Sequence, residues 1–336
     1  MTGSKKTYIF ACLCMFVSII FAFPYTPFAS ENSENVESGD YKAGFYYTVQ
    51  KGDTLWDLSQ RFSDSPWVWP DLWNENKQIA NPHWIYPGER ILLYHRKWMD
   101  TFVQDQTSVE VKPYFYYPEI ARVGFIRKEA VTPSGTIFKV KDDKQMISMG
   151  DLVFISQKGN VLLSPGSKYT VYRTFKPIKD KETKEYIGIQ HYLVGVVEII
   201  KNEQGFSSAR VIQSFWPINI DDHVMPYEEK WPEITLTDSL RGFDGKIIQS
   251  EDNEVIFAAN DIAFIDKGKA DGITPGQMYS IYYQDKKKVD GNELVLPRIE
   301  YGKLIVLRIE DTTSTVLIID SDQGIAAGAK FHYPVQ

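Results

Sequence analysis

The last two-thirds of this chain repeats itself, and that echo limits its fold more than any other feature. Gly135-Thr-Ile-Phe-Lys-Val-Lys-Asp-Asp-Lys144 returns further along as Gly245-Lys-Ile-Ile-Gln-Ser-Glu-Asp-Asn-Glu254. Asp151-Leu-Val-Phe-Ile-Ser156 returns in the same register as Asp261-Ile-Ala-Phe-Ile-Asp266, and Leu163–Tyr172 as Ile273–Tyr282. A slightly shorter connection in the second copy then moves the register once, and Gly195–Ile200 matches Gly302–Leu307. In that second register Ser208–Ile212 matches Thr315–Ile319, and Ile218 matches Ile325. Registers held through so many segments predict two copies of a domain of roughly 105–110 residues, at 118–227 and 228–336. Each copy reads as all-β: short segments rich in Val, Ile, Tyr and Phe, punctuated by Gly and by the Pro165-Gly and Pro275-Gly turns. Tyr169-Thr-Val-Tyr and Tyr279-Ser-Ile-Tyr alternate as strands with one buried face do. The expectation is a small barrel or sandwich of about six strands per copy.

At 336 residues the chain exceeds one ordinary core. Its 43% hydrophobic and 14% aromatic content belongs to a folded protein. A net charge of −7 without clustered basic side chains argues against nucleic acid as the main partner. Lys5 and Lys6 precede an apolar run, Tyr8–Phe23, broken only by Ser18. Small residues Ala29 and Ser30 follow, so 1–30 reads as a secretory signal peptide, with an uncleaved anchor as the alternative. Both cysteines, Cys12 and Cys14, lie in this run, so a cleaved chain has no disulfide, no thiolate and no Cys-ligated metal. Residues 31–45 are Gly/Ser/Asn/Glu-rich and read as a flexible leader. Such a chain reads as exported. Residues 95–117 read as a connector, in which Trp98, Met99, Phe102 and Val103 have the spacing of a short amphipathic helix.

Between leader and connector lie two motifs. Tyr46-Tyr-Thr-Val-Gln-Lys-Gly-Asp-Thr-Leu-Trp-Asp-Leu-Ser-Gln-Arg-Phe62 reads as a short strand, a Gly-Asp-Thr turn and a helix with Leu55, Leu58 and Phe62 on one face. Asn81-Pro-His-Trp-Ile-Tyr-Pro-Gly-Glu-Arg-Ile-Leu-Leu93 reads as a Pro-Gly turn feeding a closing strand. Together, over 46–94, they resemble the LysM module, a βααβ unit that binds the N-acetylglucosamine-containing glycans of peptidoglycan and chitin. The resemblance implies a shallow sugar groove between Gly52, Asp53, Thr54 and Leu55 on one side and Asn81, Pro82, Ile85, Tyr86 and Gly88 on the other. Asp53 or Thr54 also serves as a helix cap, with Asp57 completing a capping box. Leu55 and Ile85 read as core, whereas Trp84 and Tyr86 are better placed to stack on a sugar face.

One stretch departs from the LysM pattern. Ser63-Asp-Ser-Pro-Trp-Val-Trp-Pro-Asp71 is longer and more aromatic than the usual connection. Trp67, Trp69 and Trp73 are read as enlarging a core that has no disulfide to support it; an extra sugar platform is the alternative. Trp216 and Trp231 read as core near the junction of the two copies.

Catalytic patterns are missing from the sequence. Histidines 83, 95, 191, 223 and 332 show no H-x-H or H-E-x-x-H spacing, and no serine has a lysine three residues on. With the module resemblance, the expectation is an exported, non-catalytic protein of the bacterial periplasm or cell envelope, with no cofactor and no metal. It would bind peptidoglycan through the module and present 118–336 to an envelope partner. A hydrolase with an unrecognised carboxylate pair or a polysaccharide receptor are the alternatives.

Overall fold

The computed structural model describes residues 41–93, 111–157, 163–289 and 292–334. The signal segment, most of the leader and the amphipathic part of the connector lie outside the described residues.

The module is built from β1 (Gly44–Thr48), α1 (Leu55–Ser63), a 3-10 turn at Pro66–Val68, α2 (Trp69–Glu75) and β2 (Arg90–Leu92). Strand β1 pairs antiparallel with β2 on one edge, Tyr46 opposite Leu92. On its other edge it pairs with β3 (Tyr114–Tyr116), Gly44 opposite Tyr116. Leu55, Leu58 and Phe62 line the buried face of α1, and Leu72 that of α2. They close on Tyr47, Val49, Ile91 and Leu93.

Two features correct the reading of the flanks. Gly44 and Phe45 belong to β1 rather than to a flexible leader, because Phe45 is buried edge-on against Phe115 at 4.9 Å. The end of the connector is a strand, since Tyr114–Tyr116 completes the module's sheet.

The first β-unit runs β4 (Phe125–Arg127), β5 (Gly135–Val140), β6 (Leu152–Gln157), β7 (Lys168–Thr174), β8 (Ile178–Lys179), β9 (Tyr186–Glu203), β10 (Phe206–Ser214) and β11 (His223–Pro226). Its pairings close a ring, β5-β6-β10-β9-β7-β11 and back to β5. Next comes β12 (Glu233–Thr235). The second unit holds β13 (Asp244–Ser250), β14 (Ile256–Phe257), β15 (Ile262–Ile265), β16 (Met278–Tyr283), β17 (Lys286–Val289), β18 (Asn292–Val295), β19 (Ile299–Ile309), β20 (Ser314–Ser321), β21 (Ile325–Ala326) and β22 (Lys330–His332). It is a closed barrel, β13-β15-β20-β19-β16-β22. Taken in chain order, the strands of the two rings are joined alike.

Registers agree as well. Gly135 faces Val224 in the first ring and Gly245 faces Phe331 in the second. A bulge falls between Ile137 and Lys139, and another between Ile247 and Gln249. Each ring has its own apolar interior, around Ile137, Ile155, Val171 and Val197 in one and Ile247, Ile265, Ile281 and Leu304 in the other. Beyond residue 117 the helical pieces among the described residues are three-residue 3-10 turns.

The boundary at 227/228 needs one amendment. Strand β12 pairs with β3, Ile234 opposite Phe115, so a segment assigned to the second copy extends the module's sheet to the order β12-β3-β1-β2. The module's core is also continuous with Ile262, Met278, Ile305, Leu307 and Leu317 on the second barrel. Trp231 is 74% exposed and is no part of a core; Trp216 packs on the first ring's interior as expected.

At the junction of the rings Glu251 is buried, and one of its carboxylate oxygens accepts the Gly124 N–H at 2.6 Å. Burial raises its pKa from 4.5 to about 7. The folded chain therefore favours the acid form. The stabilisation is full below about pH 4.5 and is lost as pH rises through about 7. Glu251→Gln keeps an acceptor for Gly124 without the charge. Its stability in urea titrations should match the parent near pH 4.5 and exceed it by about 2–3 kcal/mol at pH 8; parallel pH profiles would contradict this account.

The Pro-Gly turns give a paired test. Gly166 and Gly276 have φ of +78° and +83°, and their N–H groups donate to Ile199 and Val306. A Cβ on Gly166 would meet open space, whereas one on Gly276 would lie 2.0 Å from the Thr235 carbonyl oxygen. Gly166→Ala should cost about 1 kcal/mol, from backbone strain alone. Gly276→Ala should cost more than about 3 kcal/mol, because β12 must shift. Equal losses in denaturant unfolding would show that β12 is not held against this turn.

Candidate functional site

The first loop grows directly out of β1. Gln50 to Asp53 form a tight turn in which the Asp53 N–H donates to the Gln50 carbonyl at 3.1 Å, with Gly52 at φ +98°. That backbone conformation suits glycine. The Asp53 carboxylate pins the turn by accepting the Gln50 N–H at 2.8 Å and the Tyr47 hydroxyl at 2.9 Å. Arg61, one helix length away, reaches the same group at 3.4 Å and donates to the Tyr47 hydroxyl at 3.1 Å. Burial, and then Asp53 itself, raise the Tyr47 pKa, so the phenol stays protonated and remains a donor.

Thr54 is the N-cap of α1: its hydroxyl oxygen accepts the Asp57 N–H at 3.1 Å and its O–H donates to the Asp57 carboxylate at 2.7 Å. The two acids thus have separate jobs, Asp57 capping with Thr54 and Asp53 fixing the turn. Leu55 is 2% exposed, so its side chain belongs to the core and a ligand could reach only its backbone.

The second loop is held by α2. Asn76, fully buried just past the helix, donates through Nδ2 to the Leu72 and Leu92 carbonyls and accepts the Leu92 N–H at Oδ1. This clamp ties helix to strand, and sequence reasoning missed it, because a single Asn after a helix carries no distinctive pattern. Asn81 accepts the His83 N–H at its side chain and the Trp84 N–H at its carbonyl, which folds 81–84 into a turn. The Tyr86 N–H donates to the Glu89 carboxylate at 3.0 Å, and Gly88 sits at φ +93°. Pro82 and Ile85 are half-buried, with Ile85 packed on the core.

Val49 brings the two loops together. Its N–H donates to the Glu89 carbonyl at 2.8 Å and its carbonyl accepts the Gly88 N–H at 2.9 Å. With Thr48 opposite Arg90, both loops emerge from the same end of the β1–β2 ladder. Trp84 and Tyr86 stand 66% and 60% exposed beside them. What results is a shallow, backbone-lined site with aromatic faces, able to hydrogen-bond a neutral polar ligand and cover an apolar ring face.

The aromatic connection behaves differently from its reading as core. Trp69 and Trp73 do pack on the core, and Trp73 Nε1 donates to the Ile79 carbonyl at 2.8 Å. Trp67 does not; it is 75% exposed and stands edge-to-face with Trp56, centroids 4.8 Å apart, beside the first loop. The Pro66–Val68 turn, in breaking the path between the helices, pushes this indole outward while Trp69 enters α2.

Residues 47–93 match the family model described as LysM domain. A stretch of 57 residues is 42% identical to an uncharacterized protein, YqbP, of Bacillus subtilis (strain 168), covering 14% of this chain and 26% of that protein. The chain thus spans about a quarter of the length of the curated relative it matches. Residues 47–93 of this chain are a LysM domain.

Proposed function

We propose that this chain is an exported, non-catalytic protein of the bacterial cell envelope. LysM domains support binding of peptidoglycan and related N-acetylglucosamine polymers. The observation that carries the reading is the stitching of Gly52–Thr54 and Asn81–Gly88 at one end of the sheet, with Trp84 and Tyr86 exposed beside them. The sugar groove consists of the turn at Gly52, Asp53 and Thr54, the Leu55 backbone, and Asn81, Pro82, Ile85, Tyr86 and Gly88 opposite. The Trp56–Trp67 pair favours an extension of this groove, since two exposed indoles next to the first loop offer a stacking face that costs little entropy to order.

The rings are two copies of one domain, presented for assembly at the wall. Matched registers, ring order and bulge positions support a duplication. The non-catalytic assignment is supported by how two of the perturbed groups, His191 and Glu251, are employed. Burial pushes His191 down to about 4 and keeps it neutral; its Nε2 accepts the Val131 N–H while the ring stacks on Phe125 at 4.5 Å. Glu251 is used on Gly124. Both side chains are buried, so neither is open to the scissile bond of a glycan or peptide, as hydrolysis would need.

The purified chain should pellet with peptidoglycan sacculi and release no soluble muropeptides. Tyr86→Ala should lower the bound fraction at least about fivefold while shifting the melting temperature little, because the ring is exposed. Trp67→Ala should lower it about two- to threefold in the same assay. Gly52→Val should reduce binding and stability together, as a β-branched residue is strained at positive φ. A folded chain left in the supernatant would sink the tether reading. Muropeptide release abolished by changing one Asp or Glu would establish the hydrolase.

A further inference from the structure

The rings meet through one face of the second. There Ile248 and Phe264 are 9% and 0% exposed, covered by Ile126 of β4 and by Ile178 and Ile187 from the hairpin of β8 and early β9. Thr313, between β19 and β20, donates its hydroxyl to the Ile126 carbonyl at 2.8 Å, and Lys246 pairs with Asp180 of the hairpin. In the two registers of the repeat, Ile248, Phe264 and Thr313 correspond to Phe138, Phe154 and Phe206 of the first ring. The rings of these three lie 5.8 to 6.4 Å apart, and Phe138 is 45% exposed. Where the second ring is covered by its neighbour, the first shows an aromatic patch.

The complementary element is also present in surplus. The hairpin that covers the second ring leaves the first between β7 and β9. Its counterpart between β16 and β19 is the β17–β18 hairpin, exposed along both strands. Val289 and Leu294 share one face of it, 44% and 50% exposed, and Leu294 is the counterpart of Ile187 in the later register of the repeat. Among the described residues, one ring therefore has a receiving face without a hairpin, and the other a hairpin without a receiving face.

We propose that a second copy of this chain fills both: the β17–β18 hairpin of one chain seats on Phe138, Phe154 and Phe206 of the next. The proposal rests on the duplication inferred above and repeats between chains the contact already made within one. Donor and acceptor faces differ, so the contact is head-to-tail and builds a ring or a filament rather than a closed two-fold dimer.

The test uses the full chain with Cys12 and Cys14 replaced by serine. Leu294→Cys is introduced in one preparation and Phe138→Cys in another. Oxidation of the mixture should give a disulfide-linked dimer at least about tenfold more abundant than in either preparation alone. In sedimentation, Leu294→Glu and Phe138→Glu should each raise the dissociation constant at least about tenfold with melting temperature retained. Val255→Glu, at a residue 81% exposed elsewhere on the second ring, should leave association unchanged. A chain monomeric at its highest soluble concentration overturns the proposal. So does a Leu294→Cys preparation that cross-links to itself, or a Phe138→Cys thiol protected from alkylation even when dilute, which would place a segment of the same chain on the patch. The same variants are pelleted with sacculi. Retained pelleting by a monomeric chain leaves the tether standing without this assembly, and association without pelleting gives the reverse.

Discussion

Pairing of β1 on both of its edges is the contact on which the rest of this structure depends. A LysM domain of this size, without a disulfide, encloses little apolar volume. Here its central strand carries β2 on one side and β3 on the other, and β12 extends the sheet from a point far along the chain. The interior behind that sheet does not stop at the domain edge. It runs on through Phe115, Ile234 and Leu236 to Met278, Ile305 and Leu317 on the second barrel. The small domain thus shares the core of a large one, and the Gly276 turn lies hard against β12 at the seam.

What could be read in advance divides along physical lines. Gly52 and Gly88 mark backbone that ordinary residues avoid, and Thr54 with Asp57 marks a helix start, so the module's outline was visible from local chemistry. The β character of the remainder was visible because alternation such as Tyr279-Ser-Ile-Tyr reports a one-sided strand. Partnership between distant strands leaves no such trace. Glu233-Ile-Thr235 is a very short strand and would suit either the barrel or the module's sheet; only the burial of Ile234 beside Phe115 decides between them.

Side-chain destination was similarly hidden where a residue is comfortable on either side of the surface. An indole buries well yet keeps a polar N–H, so Trp69 and Trp67, two positions apart, separate into core and solvent through a 3-10 turn that the sequence hardly announces. The Asn76 clamp and the Tyr47–Asp53–Arg61 network behind the first loop are polar contacts across the fold. They depend on three-dimensional proximity, and they make Asp53, a candidate sugar contact, also the pin of its own loop.

The sheet that crosses from module to barrel has a mechanical consequence. Where a flexible linker would let a LysM domain swivel, β3 and β12 lock its orientation through backbone hydrogen bonds and a common core. A glycan strand held between the two loops would set the direction in which the barrels project. Tension along the chain would load the β1–β3–β12 ladder before it reached either barrel interior. The angle between the LysM domain and the second barrel is thus set at folding.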